Sequence, residues 1–308
     1  MLQGYLLLAV SIAAGVVKGF LGKKTSAYAE KDSDAVFLNT VRILLCVLIG
    51  AVLTVCGGNA AGFIRVSSGT LAVAAMCGVA TSAFIVSWLL AVRTGAYMLV
   101  NVFLNLGLIV PLVLCEILYG DRVTLLQWGG VVMLLVAAYL MVGYNVSLNG
   151  KMRARDFVLL FVCAFSSGMN EFLVGKAFVK LDNQDTNAIF NFYTYLFSFA
   201  VLLAVLVFFR VREKDASLRE TARRVKPAFA MVALMALCLF LNTFFKTEAG
   251  RYLTAVELYP VSIGVSLIGA TVVAAVFFHE KPNAKCLIGI VLNFAALLII
   301  NCLPEWIG

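Results

Sequence analysis

Along this chain, long apolar stretches closed by Gly, Pro, Asn or charge alternate with short polar links. Ten are readable: Tyr5–Leu21, Val36–Val55, Thr70–Val92, Ala96–Tyr119, Thr124–Tyr144, Phe157–Gly175, Ala188–Phe209, Pro227–Glu248, Ala255–Phe278 and Lys285–Leu303. A helix rises about 1.5 Å per residue, so about 20 apolar residues cross a hydrocarbon core of about 30 Å. Strand-like alternation of apolar and polar residues, the mark of a membrane barrel, is absent. Helices satisfy their own backbone groups where no water is at hand. The pattern predicts an all-α integral membrane protein with ten transmembrane helices. Pro227 is expected in the first turn of its helix, and Pro111 and Pro260 inside spans, kinking them.

Composition sharpens this by excluding a soluble core. Of 308 residues, 63% belong to the AVILMFWYC set and 13% are charged, with a mean hydropathy of +1.01. Soluble domains carry about 45–50% apolar and about 25% charged residues. The eight cysteines are scattered singly with no C-x-x-C, a spacing that suits neither a metal site nor a disulfide framework. No metal or other cofactor is expected. The net charge of +8 sits mostly in the links, so the expected partner is a lipid bilayer and not a nucleic acid.

Those link charges also orient the stack. One side carries Lys23, Lys24, Lys31, Arg93, Lys151, Arg153, Arg155, the run from Arg210 to Lys226, Lys281 and Lys285. The other carries Arg65, Arg122, Lys176, Lys180, Lys246 and Arg251. The positive-inside rule places the richer side, with the Arg210–Lys226 link, in the cytoplasm and both termini outside. The expected location is the cell (plasma or inner) membrane. The Arg210–Lys226 link reads as an anchor on anionic lipid. Met1–Gly4 lacks a basic leader region and no small-x-small cleavage site follows, so the first apolar stretch is expected to be a retained helix.

The chain also repeats itself. GVVKGFLGK (15–23) aligns with GMNEFLVGK (168–176) at an offset of 153, which also pairs Asp32 with Asp185. At an offset of 159, Asp121-Arg122 meets Glu280-Lys281 and Gly130 meets Gly289. Two halves follow, residues 1–147 and 148–308. Five spans is an odd number, so the second half enters the membrane inverted. Inverted repeats place a solute site between the halves and give alternating access a mechanical basis.

With these features the chain resembles the drug/metabolite transporter superfamily in its form with two EamA-like halves. The resemblance rests on a duplicated apolar helix, acidic turn and Gly-containing last helix: EILYGDRVTLLQWGGVVMLLVAAYLMVG and VVAAVFFHEKPNAKCLIGIVLNFAALLII. Lys23 and Lys176 resemble the basic residue ending the first helix of each half, Arg42 the arginine early in the second helix, and Pro260 the proline of the fourth. Ala14-Gly15 and Ser167-Gly168 stand where Trp-Gly is typical, Asn101 replaces the first-half proline, and Tyr195 is the counterpart of Arg42. The resemblance implies a ten-helix basket around a central cavity. It leaves the solute open, since the family carries amino acids, nucleosides, sugars, sugar phosphates, organic cations and drugs.

Ionisable groups inside a span are costly and face a cavity or a partner. Lys18 and Glu171 occupy equivalent positions in the first helix of each half. Two readings stand: a binding pair, Lys18 for an anionic group and Glu171 for a cationic group or coupling proton, or a fixed salt bridge between the halves. Tyr97, Asn101 and Asn105 repeat every four residues along one span, as Ser262 and Ser266 do along the matching one. Asn170, Tyr193 and Asn242 are further wall residues. Gly15 and Gly19 form a GxxxG suited to close packing. Lys246 is expected near an outer span end, snorkelling or gating, and His279 at a cytoplasmic helix end.

No H-e-x-x-H, G-x-S-x-G or P-loop pattern is present, so an enzyme is not expected, nor is a channel. The expected function is a secondary transporter of small polar metabolites, amino-acid-like or otherwise zwitterionic, proton-linked or facilitative, as a monomer or weak dimer. Organic-cation or drug efflux is the alternative.

Overall fold

The computed structural model describes residues 1–26, 28–29, 31–93, 103–142, 154–181, 185–213, 218–277 and 284–301. Helices dominate: α1 Leu2–Ser26, α2 Asp32–Cys56, α3 Ser68–Arg93, α4 Ile109–Tyr119, α5 Leu125–Val142, α6 Ala154–Phe172, α7 Asn187–Glu213, α8 Leu218–Val225, α9 Phe229–Ala249, α10 Ala255–Phe277 and α11 Ala284–Asn301. Among the described residues, eight helices are long and apolar enough to cross a membrane. Two shorter apolar helices, Phe103–Tyr119 and Leu125–Met141, join them.

The apolar runs became helices close to where hydropathy placed them, and α8 is a short basic addition inside the Arg210–Lys226 link. Pro227 sits at the start of the 3-10 turn Lys226–Ala228 that leads into α9, and Pro260 lies inside α10. Pro111 interrupts its span, as expected, because its ring crowds the carbonyl four residues earlier, at Gly107. The helical turn at 103–106 stops at Gly107–Leu108 and α4 restarts at Ile109, so Pro111 falls in the first turn of the resumed helix. There its missing N–H costs nothing, because first-turn N–H groups have no partner within the helix.

A lipid-facing belt surrounds the bundle. Leu48, Val52, Val132, Phe161, Phe208, Val291 and Leu298 are exposed apolar side chains on α2, α5, α6, α7 and α11. Soluble monomers rarely expose contiguous apolar surface beyond a few hundred Å². The largest buried cluster runs through the middle, joining Leu8 and Ile12 of α1, Ala74 and Cys77 of α3, Leu112 of α4, Leu134 of α5 and Tyr259 of α10.

Packing links the first five apolar helices to the later ones. α1 lies along α9, α2 along α7, α3 along α6 and α7, and α5 along α11; α2 also touches α9, α1 touches α10, and α4 touches α6. The α5–α11 seam is made by glycines. A Cβ on Gly130 would stand 2.6 Å from Cγ1 of Ile300, and one on Gly289 would stand 2.6 Å from Cγ of Met141 and 2.9 Å from the Ala137 carbonyl. Such close approach between membrane helices is what small residues permit. Of the GxxxG glycines, Gly15 packs against Asn242, whereas Gly19 has open space beside it, so the motif makes one contact and not two.

Side-chain ties close the two ends of the bundle. At one end Asp34, 0% exposed, takes a 2.8 Å ion pair from Arg224 of α8. This basic link therefore spends a charge on the protein as well as on its surroundings. Phe20 and Phe277 pack at 5.0 Å beside it, with Lys24 over the Phe20 ring. At the other end the carboxylate of Asp185 accepts the Ser67 N–H at 2.9 Å, holding the link before α7 to the start of α3. Burial pushes that carboxyl up, but the Ser67 hydroxyl and N–H and the Thr70 hydroxyl hold it below its ordinary value.

Replacing Gly289 by Ala should destabilise the protein by about 1–3 kcal/mol, the usual cost of overpacking. Gly129→Ala, with nothing within 4 Å, should leave the melting temperature unchanged or raise it slightly. Thermal unfolding in mild detergent checks both; equal melting temperatures for the two variants would refute the seam.

Candidate functional site

Among the ionisable residues inside the apolar helices or close to their ends are Lys18 on α1, Arg42 on α2, Glu171 on α6 and Lys246 on α9. The fold brings them together. Gly15 of α1 abuts Asn242 of α9, and Thr25 reaches Met235 of the same helix, so Lys18 lies beside the middle of α9. Arg42 is one turn from Cys46, whose thiol donates to the Ala236 carbonyl at 3.4 Å. Lys246 is one turn beyond Asn242 toward the end of α9. The charges of Lys246, Arg42 and Glu171 all act on Lys18. The four form a charged column in which α1 and α2 supply two members and α6 and α9 the other two.

Within the column one pair is made. Nζ of Lys246 donates to both oxygens of Glu171 at 2.8 Å, with Lys246 only 6% exposed. Lys246 is thus a buried partner, not a snorkelling group at a span end. In place of the fixed Lys18–Glu171 bridge, the ion pair present is Lys246–Glu171. The reason is rotational. α6 and α9 meet where the π-turn Leu173–Ala177 extends α6, and the Thr247 hydroxyl donates to the Val174 carbonyl at 2.9 Å. That contact sets Lys246, the preceding residue, against Glu171.

Around the charges lies a polar wall. Asn170 accepts hydrogen bonds from the Thr81 hydroxyl at 2.8 Å and the Cys77 thiol at 3.3 Å, both from α3. The hydroxyls of Tyr195 and Thr243 bond to each other between α7 and α9. Arg42 lies on α2, which packs along α7, the helix that carries its counterpart Tyr195. Ser262, buried, and Ser266 share a face of α10 with Gly269, which abuts Val16 of α1; they flank the helix of Lys18. Asn105 is partly buried on the turn before Gly107. Tyr97, Asn101 and His279 lie outside the described residues.

Two further expected wall residues tie helices together. Tyr193 donates to the Phe63 carbonyl at 2.5 Å, tying α7 to the link between α2 and α3. The Asn242 amide donates to the Ser11 carbonyl at 2.8 Å, while the Ser11 hydroxyl returns a bond to the Asn242 backbone carbonyl at 2.7 Å. This reciprocal clasp locks α1 to α9.

Lys176, the basic residue ending the first helix of the second half, is buried and donates to the carbonyls of Gly250, at 3.0 Å, and Leu253. It caps α9 where Gly250 presses on Gly175: a Cβ on Gly250 would stand 1.9 Å from the Gly175 oxygen. Nearby, Tyr119 stacks on Phe172 and Lys180 lies over the Tyr119 ring. Apart from these, a surface groove of about 480 Å³ between α1, α10 and α11 is lined by Tyr5, Glu257, Phe294 and Asn301. It is remote from the charged column and contains none of its members.

Comparison with known proteins follows this geometry. Residues 156–302 match the EamA-like transporter family. No curated protein matches the chain by sequence. A protein solved by crystallography is similar in fold over 99% of this chain and 98% of its own, with a TM-score of 0.74 at 12% identity.

Removing one member of a buried pair strands the other, so Glu171→Gln and Lys246→Ala should each destabilise the protein, and the double variant by less than their sum. A coupling of about 1–3 kcal/mol is expected. A double-mutant cycle of unfolding in detergent measures it; strict additivity would contradict the pair.

Proposed function

We propose that this multi-pass membrane protein, which carries an EamA-like transporter domain over residues 156–302, is a ten-helix secondary transporter moving a small polar metabolite by alternating access. Its two oppositely inserted halves are residues 1–147 and 148–308. The observation that carries the reading is the charged column itself. Charged side chains in apolar helices are retained where they serve a solute or ion path, and this column draws Lys18 and Arg42 from one half and Glu171 and Lys246 from the other.

Packing supports the inverted halves. Gly130 meets Ile300 and Gly289 meets Met141, and both residue pairs 130/289 and 141/300 are separated by the repeat offset of 159. Exchange of the halves thus turns one contact into the other. The same exchange converts α1–α9 into α6–α3, α2–α9 into α7–α3, and α1–α10 into α6–α4, and each of these pairs is in contact. The start of α1 and the end of α6 share one end of the bundle, where Gly4 abuts Leu253 and Lys176 bonds to it. A transporter built this way changes its open side when each half takes up the packing of the other.

In this reading Lys18 and Asn170 contact the solute, and Tyr97, Asn101, Asn105, Ser262 and Ser266 line its path. Glu171 carries the coupling proton: protonation removes its charge and releases Lys246, loosening α6 from α9. The richer basic side faces the cytoplasm of a cell membrane, as charge asymmetry directs. Organic-cation efflux fits less well, because a cationic solute would have to displace Lys246 from both Glu171 oxygens.

The test is uptake into proteoliposomes of labelled amino acids, organic acids and choline, each with and without a pH gradient. The wild type should move at least one solute faster than protein-free liposomes. Glu171→Gln should lose gradient-driven accumulation by about tenfold or more, the scale of a lost proton-transfer group, yet keep solute exchange. Lys18→Ala should lose both. Undiminished gradient-driven accumulation by Glu171→Gln would refute the coupling role.

A further inference from the structure

The charges of the column do not balance. Lys18, Arg42 and Lys246 face one carboxylate, Glu171, and Lys246 holds both of its oxygens. Two cations remain. Nε of Arg42 is buried and donates to no described group, and among the described residues no carboxylate forms an ion pair with Arg42. Among the described residues Lys18 makes no ion pair; it sits near two further cations and the already paired Glu171. Residues 94–102, which adjoin the fourth span, contain no Asp or Glu.

We infer that the site takes a small oxyanion, a solute bearing a carboxylate or phosphate group, held by Arg42 and Lys18. This rests on the transporter reading and names its substrate class. Uncompensated cations in a low-dielectric site cost free energy that an anionic solute offsets. The planar guanidinium fork matches carboxylate and phosphate oxygens, and a lysine beside it adds a point charge. The Glu171–Lys246 pair next to them is neutral as a unit and leaves this excess intact.

The experiment is a thermal-shift titration of the purified full chain with succinate, glycerol 3-phosphate, inorganic phosphate, alanine and choline, alongside uptake of the same probes into proteoliposomes. At least one of the three anions should stabilise the wild type, while alanine and choline do not; which anion responds distinguishes carboxylate from phosphate recognition. Arg42→Gln and Lys18→Ala should each weaken that anion by about tenfold or more, as expected for loss of a charge-assisted hydrogen bond. Arg42→Lys should recover part of the loss, which separates recognition from misfolding. Stabilisation and uptake of choline or alanine, with no response to any anion, would overturn the oxyanion site while leaving the transporter reading in place. No uptake of any probe above protein-free liposomes would count against both.

Discussion

A charge inside an apolar helix has to be answered by an opposite charge, by water or by a solute, since an unanswered one in hydrocarbon costs several kcal/mol by current estimates, about 3 at the low end. The charged column sets three cations, Lys18, Arg42 and Lys246, and one carboxylate, Glu171, among largely apolar helices. One cation, Lys246, is answered by Glu171. The remaining two, Lys18 and Arg42, need a polar chamber. The polar side chains of α3, α6 and α7 around them, Thr81, Asn170 and Tyr195, are what such a chamber requires.

The scaffold is arranged so that these charges meet. Helix association in lipid lacks the hydrophobic drive of water and relies on close packing and on hydrogen bonds between helices. Both are used here at identifiable places. Glycines bring α5 against α11, the Ser11–Asn242 clasp joins α1 to α9, and Lys176 caps the end of α9. Most of these contacts bridge the first five apolar helices and the later ones. The charged column therefore forms only when both parts of the chain are assembled, and a change in their relative packing changes access to it. That is the physical link proposed here between an internal repeat and transport.

Much of the fold was legible in the sequence because membrane spans are written in length and hydropathy. The run Pro227–Glu248 and the helix Phe229–Ala249 nearly coincide. Breaks and partners were less legible. The interruption at Gly107–Leu108 is announced by Pro111, but the π-turn at Leu173–Ala177 has no such local mark. Lys246 looked like a span-end residue because it lies three positions before the end of α9; its burial depends on α6 covering it. Rotation about the helix axis is the underlying difficulty. In a soluble helix a polar face marks the outside, but here lipid-facing Val132 and core-facing Leu134 belong to one chemical class. Lys18 and Glu171 were therefore recognisable as candidates, while the partner of each was not. The wall residues Tyr193 and Asn242 show the same limit, since an inward polar group can serve a solute or a neighbouring helix with equal chemical ease.

Opposite insertion of the two halves is the claim on which the shared chamber depends. It is tested most directly by introducing single cysteines at Lys24 and at Lys180, both exposed, into a cysteine-free background and labelling intact cells with a membrane-impermeant maleimide. Labelling of one position from outside, and of the other only after the membrane is opened, is the predicted result. Labelling of both positions from the same side would contradict the account.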